Sequence, residues 1–165
     1  MYVLGIDPGL STMGYAVLES TPQRPRAIAA GAVRTSPDDP LERRLLELHT
    51  DLTQIIEEFG PAEVAIEQVF VNRNLQTATA VGRASGAIIL TAAQAGLPVF
   101  EYTPSAVKMA VCGVGDADKE QVQAVVAMRL GLDAAPKPAD AADALAIALC
   151  HLQSAPLRRA VEAAR

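Results

Sequence analysis

The sequence predicts an α/β domain on a mixed five-stranded sheet, with three antiparallel strands first, two parallel strands after them, and helices on the flanks. The apolar segments follow the order three strands, helix, strand, helix, strand, then helices, and strands joined by a crossover helix run parallel. The length of 165 residues matches one compact domain and leaves no room for two.

Tyr2 to Asp7 is a short apolar run halted by Asp7-Pro8-Gly9, where proline and glycine end a strand and open a loop. Tyr15 to Leu18 and Ala27 to Arg34, separated by the Pro22 to Pro25 turn, continue as a meander. Leu41, Leu45, Leu48, Leu52, Ile55, Ile56 and Phe59 recur at helical steps with charged residues between them, and Gly60-Pro61 ends that helix. Glu63 to Gln68 reads as a buried strand. Thr77 to Ala95 reads as an Ala-rich helix in which Gly82 and Gly86 let another backbone come close, and Pro98 to Tyr102 as a further strand. Thr103-Pro104 is a cap followed by a first-turn proline. Asp118-x-x-Gln121 is a capping pair that opens a helix to Leu130, and Pro138 opens a last helix to about Leu152.

Half of the residues are hydrophobic, which suffices for a core and excludes global disorder, although 31 of them are alanine. Two cysteines, Cys112 and Cys150, exclude a disulfide scaffold and a four-cysteine zinc site, and suggest a reducing cytoplasm and buried, inert thiols. No secretory leader is visible. The longest apolar stretch, Gly86 to Phe100, is shorter than the roughly 18 residues of a membrane span. The net charge of −5 argues against a chain that coats itself in nucleic acid, yet its distribution is uneven. Ser36 to Glu67 carries nine acidic and two basic residues, whereas Gln68 to Ala139 carries five and six, so a polyanion would meet the second half.

Four carboxylates stand out. Asp7 closes the first strand, where it either caps the Pro-Gly turn or serves chemistry. Glu67 lies among Val64, Ala65, Ile66 and Val69, and burying such a charge costs several kcal/mol unless it is paired or bound to a metal. Asp140 and Asp143, three apart, share one face of the last helix; they either stabilise its N-terminus or share an ion. Small neighbours, Ala139, Ala141, Ala142, Ala144 and Ala146, allow that helix to press on a sheet. Parallel strands present ligands at their carboxyl ends, so the four acids are expected to converge. Oxygen donors without nearby His or Cys suit Mg²⁺ or Mn²⁺, and two such ions form the clamp used in phosphodiester displacement.

The stretches VLGIDPG, IEQVFVNRN from Ile66 to Asn74, and ADAADALAIALCH from Ala139 to His151 closely resemble bacterial RuvC-type Holliday-junction resolvases, over about residues 1 to 152. This resemblance implies a ribonuclease H-like fold, a homodimer, and a catalytic metal site of Asp7, Glu67, Asp140 and Asp143 holding two Mg²⁺ or Mn²⁺ ions. It implies paired symmetric nicks in four-way junction DNA that leave 5′-phosphate and 3′-hydroxyl ends, and cooperation with a junction-binding protein and a branch-migration motor. Phe70, otherwise a core residue at a strand end, matches the aromatic wedge that stacks at the crossover. Lys108 and Lys119 match DNA-contacting positions, and Arg73 and Arg83 are candidates for phosphate contacts. Family members often carry a basic residue soon after the DPG turn; this chain reads Leu10-Ser11-Thr12-Met13 there.

The expected organisation is one nuclease domain over residues 1–153 and a loose tail over 154–165. His49, expected on the exposed side of its helix, and His151 lack metal-ligand spacing and are read as structural. Two rival readings remain. Asp7-x-Gly9 followed by Gly14 also resembles the phosphate turn of actin-type and sugar-kinase nucleotide-binding proteins, which need about twice this length, and a junction-binding module without catalysis would share the fold.

Overall fold

The computed structural model describes residues 1–69 and 75–163, with the side chains of the last helix described through residue 155. Three strands, β1 (Tyr2–Asp7), β2 (Thr12–Glu19) and β3 (Arg26–Arg34), precede α1 (Leu41–Phe59), β4 (Glu63–Glu67), α2 (Leu75–Gln94), β5 (Val99–Tyr102), α3 (Pro104–Cys112), α4 (Lys119–Leu130) and α5 (Ala139–Ala163). The sheet order is β3-β2-β1-β4-β5. The first three strands pair antiparallel, and β4 runs parallel to both β1 and β5. This is the mixed sheet that the order of apolar segments predicts.

Side chains alternate between the two faces of a strand, so each strand feeds two cores. Leu4, Ile6, Val17, Val64 and Ile66 point to the face covered by α1 and α2, where they meet Leu48, Leu52 and Ile88. Burying each of these large side chains contributes roughly 1.5–3 kcal/mol. Val3, Ala16, Leu18, Ala65 and Tyr102 point to the other face, covered by α3, α4 and α5. Asp7, four residues beyond Val3, and Glu67, two beyond Ala65, therefore project on the α5 side.

The caps follow the sequence signals. Thr103 accepts from the Ala106 backbone N–H to start α3. Asp118 and Gln121 form a reciprocal capping box at α4. Gly60 ends α1 at φ +56°, in the left-handed region that favours glycine.

The close approach of α5 to the sheet requires two glycines. A Cβ on Gly5 would stand 2.3 Å from the Ala144 carbonyl oxygen, and one on Gly14 would stand 2.1 Å from that of Asp140. Bare backbone at these two points lets an alanine-lined helix lie directly on β1 and β2. That contact delivers the N-terminus of α5 to the carboxyl end of β1.

Three features differ from the sequence reading. α5 continues to Ala163, beyond the expected end near Leu152, so the backbone of residues 154–163 is helical. Pro156 removes one intrahelical donor, but the alanine, leucine, arginine and glutamate around it are strong helix formers. His49 is half-buried, not exposed, because α1 turns this side toward α2, and its Nδ1 lies 2.8 Å from the Thr91 hydroxyl. Cys150 is buried as expected, and burial pushes its thiol up to about 11, whereas Cys112 is only partly buried. Among the described residues, no helix is long and apolar enough to cross a membrane.

Candidate active site

The ladder places the first two acids. Ile6 pairs with Ile66 across the parallel β1 and β4, so Asp7 and Glu67 sit one step further along neighbouring strands, which lie about 4.8 Å apart. Asp7 is also the register partner of Gly14, the residue on which the Asp140 backbone rests. The helix therefore enters where β1 ends.

Asp7, Glu67 and Asp143 line one pocket of about 280 Å³, together with Lys108 from α3 and Lys119 from α4. Val107, Val122 and Ala146 form apolar wall beside them, which removes water from the carboxylates. Burial is the main reason that the Asp7 carboxyl rises from 3.8 to about 7; Glu67, Asp143 and Asp140 raise it further, and Lys119 opposes them. Glu67 is raised by burial first and by Asp143 second, against Lys108 and Lys119. Asp140 lies outside the pocket lining, but its charge acts on Asp7.

The Lys119 ammonium donates to Asp143 Oδ2 at 2.8 Å, and that bond raises the pKa of the lysine. Among the described residues, no three His, Cys, Asp or Glu side chains are spaced to hold a metal ion without movement. The donor chemistry nonetheless fits a hard divalent cation. The negatively charged groups of the pocket are carboxylates, and burial together with their crowding drives one of them, Asp7, toward its neutral form. A cation would relieve that repulsion as Asp143 leaves Lys119.

Other sequence candidates fall elsewhere. Arg83 is exposed on α2, beside a separate shallow groove with Leu75, Gln76, Thr79 and Ala80. Phe70 and Arg73 lie outside the described residues.

Two arrangements were not legible in the sequence. Arg44 of α1 donates from Nε to the Thr35 hydroxyl at 2.9 Å and from Nη2 to the Ser11 hydroxyl at 2.8 Å, which brings a guanidinium to the turn after Asp7. Among the described residues it has no carboxylate within salt-bridge distance. His151, almost fully buried on α5, joins Tyr102 of β5 at 2.9 Å and Glu63 of β4 at 2.6 Å. The one sequence signal for this contact is that Glu63 shares the strand face of Glu67.

The family profile described as crossover junction endodeoxyribonuclease RuvC matches residues 3–151. The chain is 46% identical over 162 residues to the crossover junction endodeoxyribonuclease RuvC of Roseiflexus sp. (strain RS-1), covering 98% of this chain and 96% of the relative. It is similar to the solved structure of Thermus thermophilus RuvC in complex with Holliday junction substrate, with a TM-score of 0.91, 40% identity and 96% of each chain covered. The yeast mitochondrial Holliday junction resolvase shares the fold, with a TM-score of 0.67 at 14% identity, 95% of this chain and 82% of that one being covered. The fold is thus that of RuvC, ribonuclease H-like, and the chain belongs to the crossover junction endodeoxyribonuclease RuvC family.

Proposed function

We infer that this protein is a metal-dependent endonuclease that resolves four-way DNA junctions by paired symmetric phosphodiester hydrolysis during recombination and repair. The observation that carries this reading is the gathering of Asp7, Glu67 and Asp143 with Lys108 and Lys119 in one pocket, in a chain of the RuvC family. Asp7, Glu67, Asp140 and Asp143 would hold two Mg²⁺ or Mn²⁺ ions, which would supply activation of water and neutralisation of the leaving oxygen. The protein's own part is positioning. β1 and β4 fix Asp7 and Glu67, α5 brings Asp140 and Asp143, and Lys108 and Lys119 hold the phosphate backbone beside them. Phe70 stacks on a base at the crossover, and Arg73 and Arg83 add phosphate contacts.

Two strands must be cut symmetrically, so the working unit is a homodimer whose two-fold axis supplies two equivalent sites. The α2 surface supports this. Gly82, Gly86 and Leu90 are exposed on it, and a Cβ on either glycine meets nothing within 4 Å, so a second copy can approach the helix backbone closely. The expected setting is the cytoplasm, with a junction-binding protein and a branch-migration motor as partners. A cleavage assay comparing a four-way junction, linear duplex and single strand, with Mg²⁺ and Mn²⁺ in turn, tests class, substrate and cofactor together. The reading requires cutting of the junction with either metal, and a nicking pattern related by two-fold symmetry. An intact junction would leave only a binding module.

A further inference from the structure

α5 carries Asp143 into the pocket, yet its contact with the sheet there is made through alanines and glycines. Ala144 and Ala148 rest on Gly5, and the Asp140 backbone rests on Gly14. Such contacts set how near the helix lies, and the buried Leu145, Ile147 and Leu149 pack beside them, but apolar contacts of this kind are not directional. Directional bonds fix an axial register more tightly. The structure has them further along α5, at His151.

His151 is 1% exposed. A carboxylate accepts, so His151 Nε2–H donates to Glu63 Oε2 at 2.6 Å, and Nδ1 shares a hydrogen bond with the Tyr102 hydroxyl at 2.9 Å. The Phe100 ring packs 4.9 Å from the imidazole, centroid to centroid. One helix side chain is thereby joined to two strands. The spacing of these groups matches that of the site. Glu63 and Glu67 are four residues apart on one face of β4, roughly 13 Å. His151 and Asp143 are eight residues apart on α5, about 12 Å, and the helix runs antiparallel to the strand. The Glu63–His151 bond is a lower rung, and Glu67 facing Asp143 across the pocket is the upper rung of the same ladder.

We propose that His151, held by Glu63 and Tyr102, is a positioning residue that sets the axial register of α5 and so the distance between Asp143 and Glu67. It rests on the reading of these carboxylates as the metal site, and it assigns no chemistry to the imidazole. His151 touches none of the site carboxylates and acts through where α5 lies, and a misplacement of about 1 Å by a change far from the chemistry costs up to roughly 100-fold in rate. His151→Phe, which keeps a ring and loses both bonds, should fall within that range.

The test uses the full chain as wild type, His151→Phe, His151→Gln, Glu63→Gln and Tyr102→Phe. Each is read by single-turnover cleavage at saturating four-way junction, by junction Kd without divalent cation, and by calorimetric titration with Mn²⁺ alone. The expected result for His151→Phe is about a tenfold or greater loss in cleavage rate and weaker Mn²⁺ binding, at unchanged junction Kd. His151→Gln, which can still donate to Glu63, should recover part of both, and Tyr102→Phe should shift both in the same direction by less. Should His151→Phe fail to fold, Tyr102→Phe and Glu63→Gln decide the matter by the same readouts. Ile88→Val, a substitution in the opposite core, controls for lost stability and should leave rate and Mn²⁺ affinity per folded molecule unchanged. Rates and Mn²⁺ affinities of the network variants within about twofold of wild type would overturn the proposal. If the wild type cuts no junction, the nuclease reading fails, and the Mn²⁺ titrations still decide whether this network sets the carboxylate spacing.

Discussion

Lys119 Nζ stands 2.8 Å from Asp143 Oδ2, so the cation presently facing this carboxylate comes from the chain itself. Lys119 follows directly on Asp118, the capping residue of α4, so the capping box fixes where the ammonium starts its reach. The pair is partly solvent-exposed, and screening keeps its worth to at most about 1 kcal/mol. Lys119→Met frees Asp143 and should tighten Mn²⁺ binding by up to about fivefold while weakening junction binding and steepening neither curve. Calorimetry with Mn²⁺ and a junction-binding titration at two salt concentrations read these two effects separately; the variant should also show a shallower salt dependence, since one phosphate contact is lost.

Asp7→Asn should abolish cleavage and stabilise the metal-free protein at neutral pH. The Asp7 pKa is about 7 when folded against an ordinary 3.8, so between these values the folded state holds more protons than the unfolded one. Stability from this group is therefore greatest at low pH, falls as pH rises from 3.8 to about 7, and is level above that. The total is on the order of 4 kcal/mol at most. Thermal melts of wild type and Asp7→Asn without divalent cation should diverge as pH rises from 5 to about 8, the variant being the more stable at the upper end. Adding Mg²⁺ should raise the Tm of the wild type more than that of the variant.

Gly14→Ala should separate α5 from the sheet. Its Cβ would lie 2.1 Å from the Asp140 carbonyl oxygen, and both are backbone-borne, so no side-chain rotation relieves the clash. The expected cost is about 1–3 kcal/mol in urea unfolding, together with a loss of cleavage that exceeds the loss of folded protein. Gly60→Ala is the comparison. It meets nothing within 4 Å but has φ +56°, so it should lower stability and leave the cleavage rate of the folded fraction unchanged.

Gly86→Arg should produce a monomer. A long charged side chain on the exposed α2 face blocks close approach of a second copy, while the pocket on the opposite side of the sheet is untouched. Sedimentation should show halved mass, and junction cutting should change from paired symmetric nicks to isolated ones.

What the sequence revealed depended on how local the signal was. Pro8-Gly9, Thr103-Pro104, Asp118-x-x-Gln121 and Gly60-Pro61 each act within a few residues, and the strand end and caps they predict stand where expected. The convergence of Asp7, Glu67 and Asp143 was legible because topology places them: all three follow from strand ends and one helix start. The engagement of Asp143 with Lys119 was not, since it joins groups 24 residues apart through a flexible side chain. Nor was the His151 network, whose partners are 49 and 88 residues away in the chain. The helical backbone of residues 154–163 was not legible either, because that stretch lacks the clear apolar face by which a helix is read from sequence.

Metal-dependent cleavage at these carboxylates is tested by the cutting of a synthetic four-way junction by wild type and by Asp7→Asn in the presence of Mg²⁺ or Mn²⁺. The wild type should give two symmetry-related nicks with 5′-phosphate and 3′-hydroxyl ends, and the variant an intact but bound junction. Equal cutting by the two proteins, or cutting by the wild type that persists in a metal chelator, would contradict it.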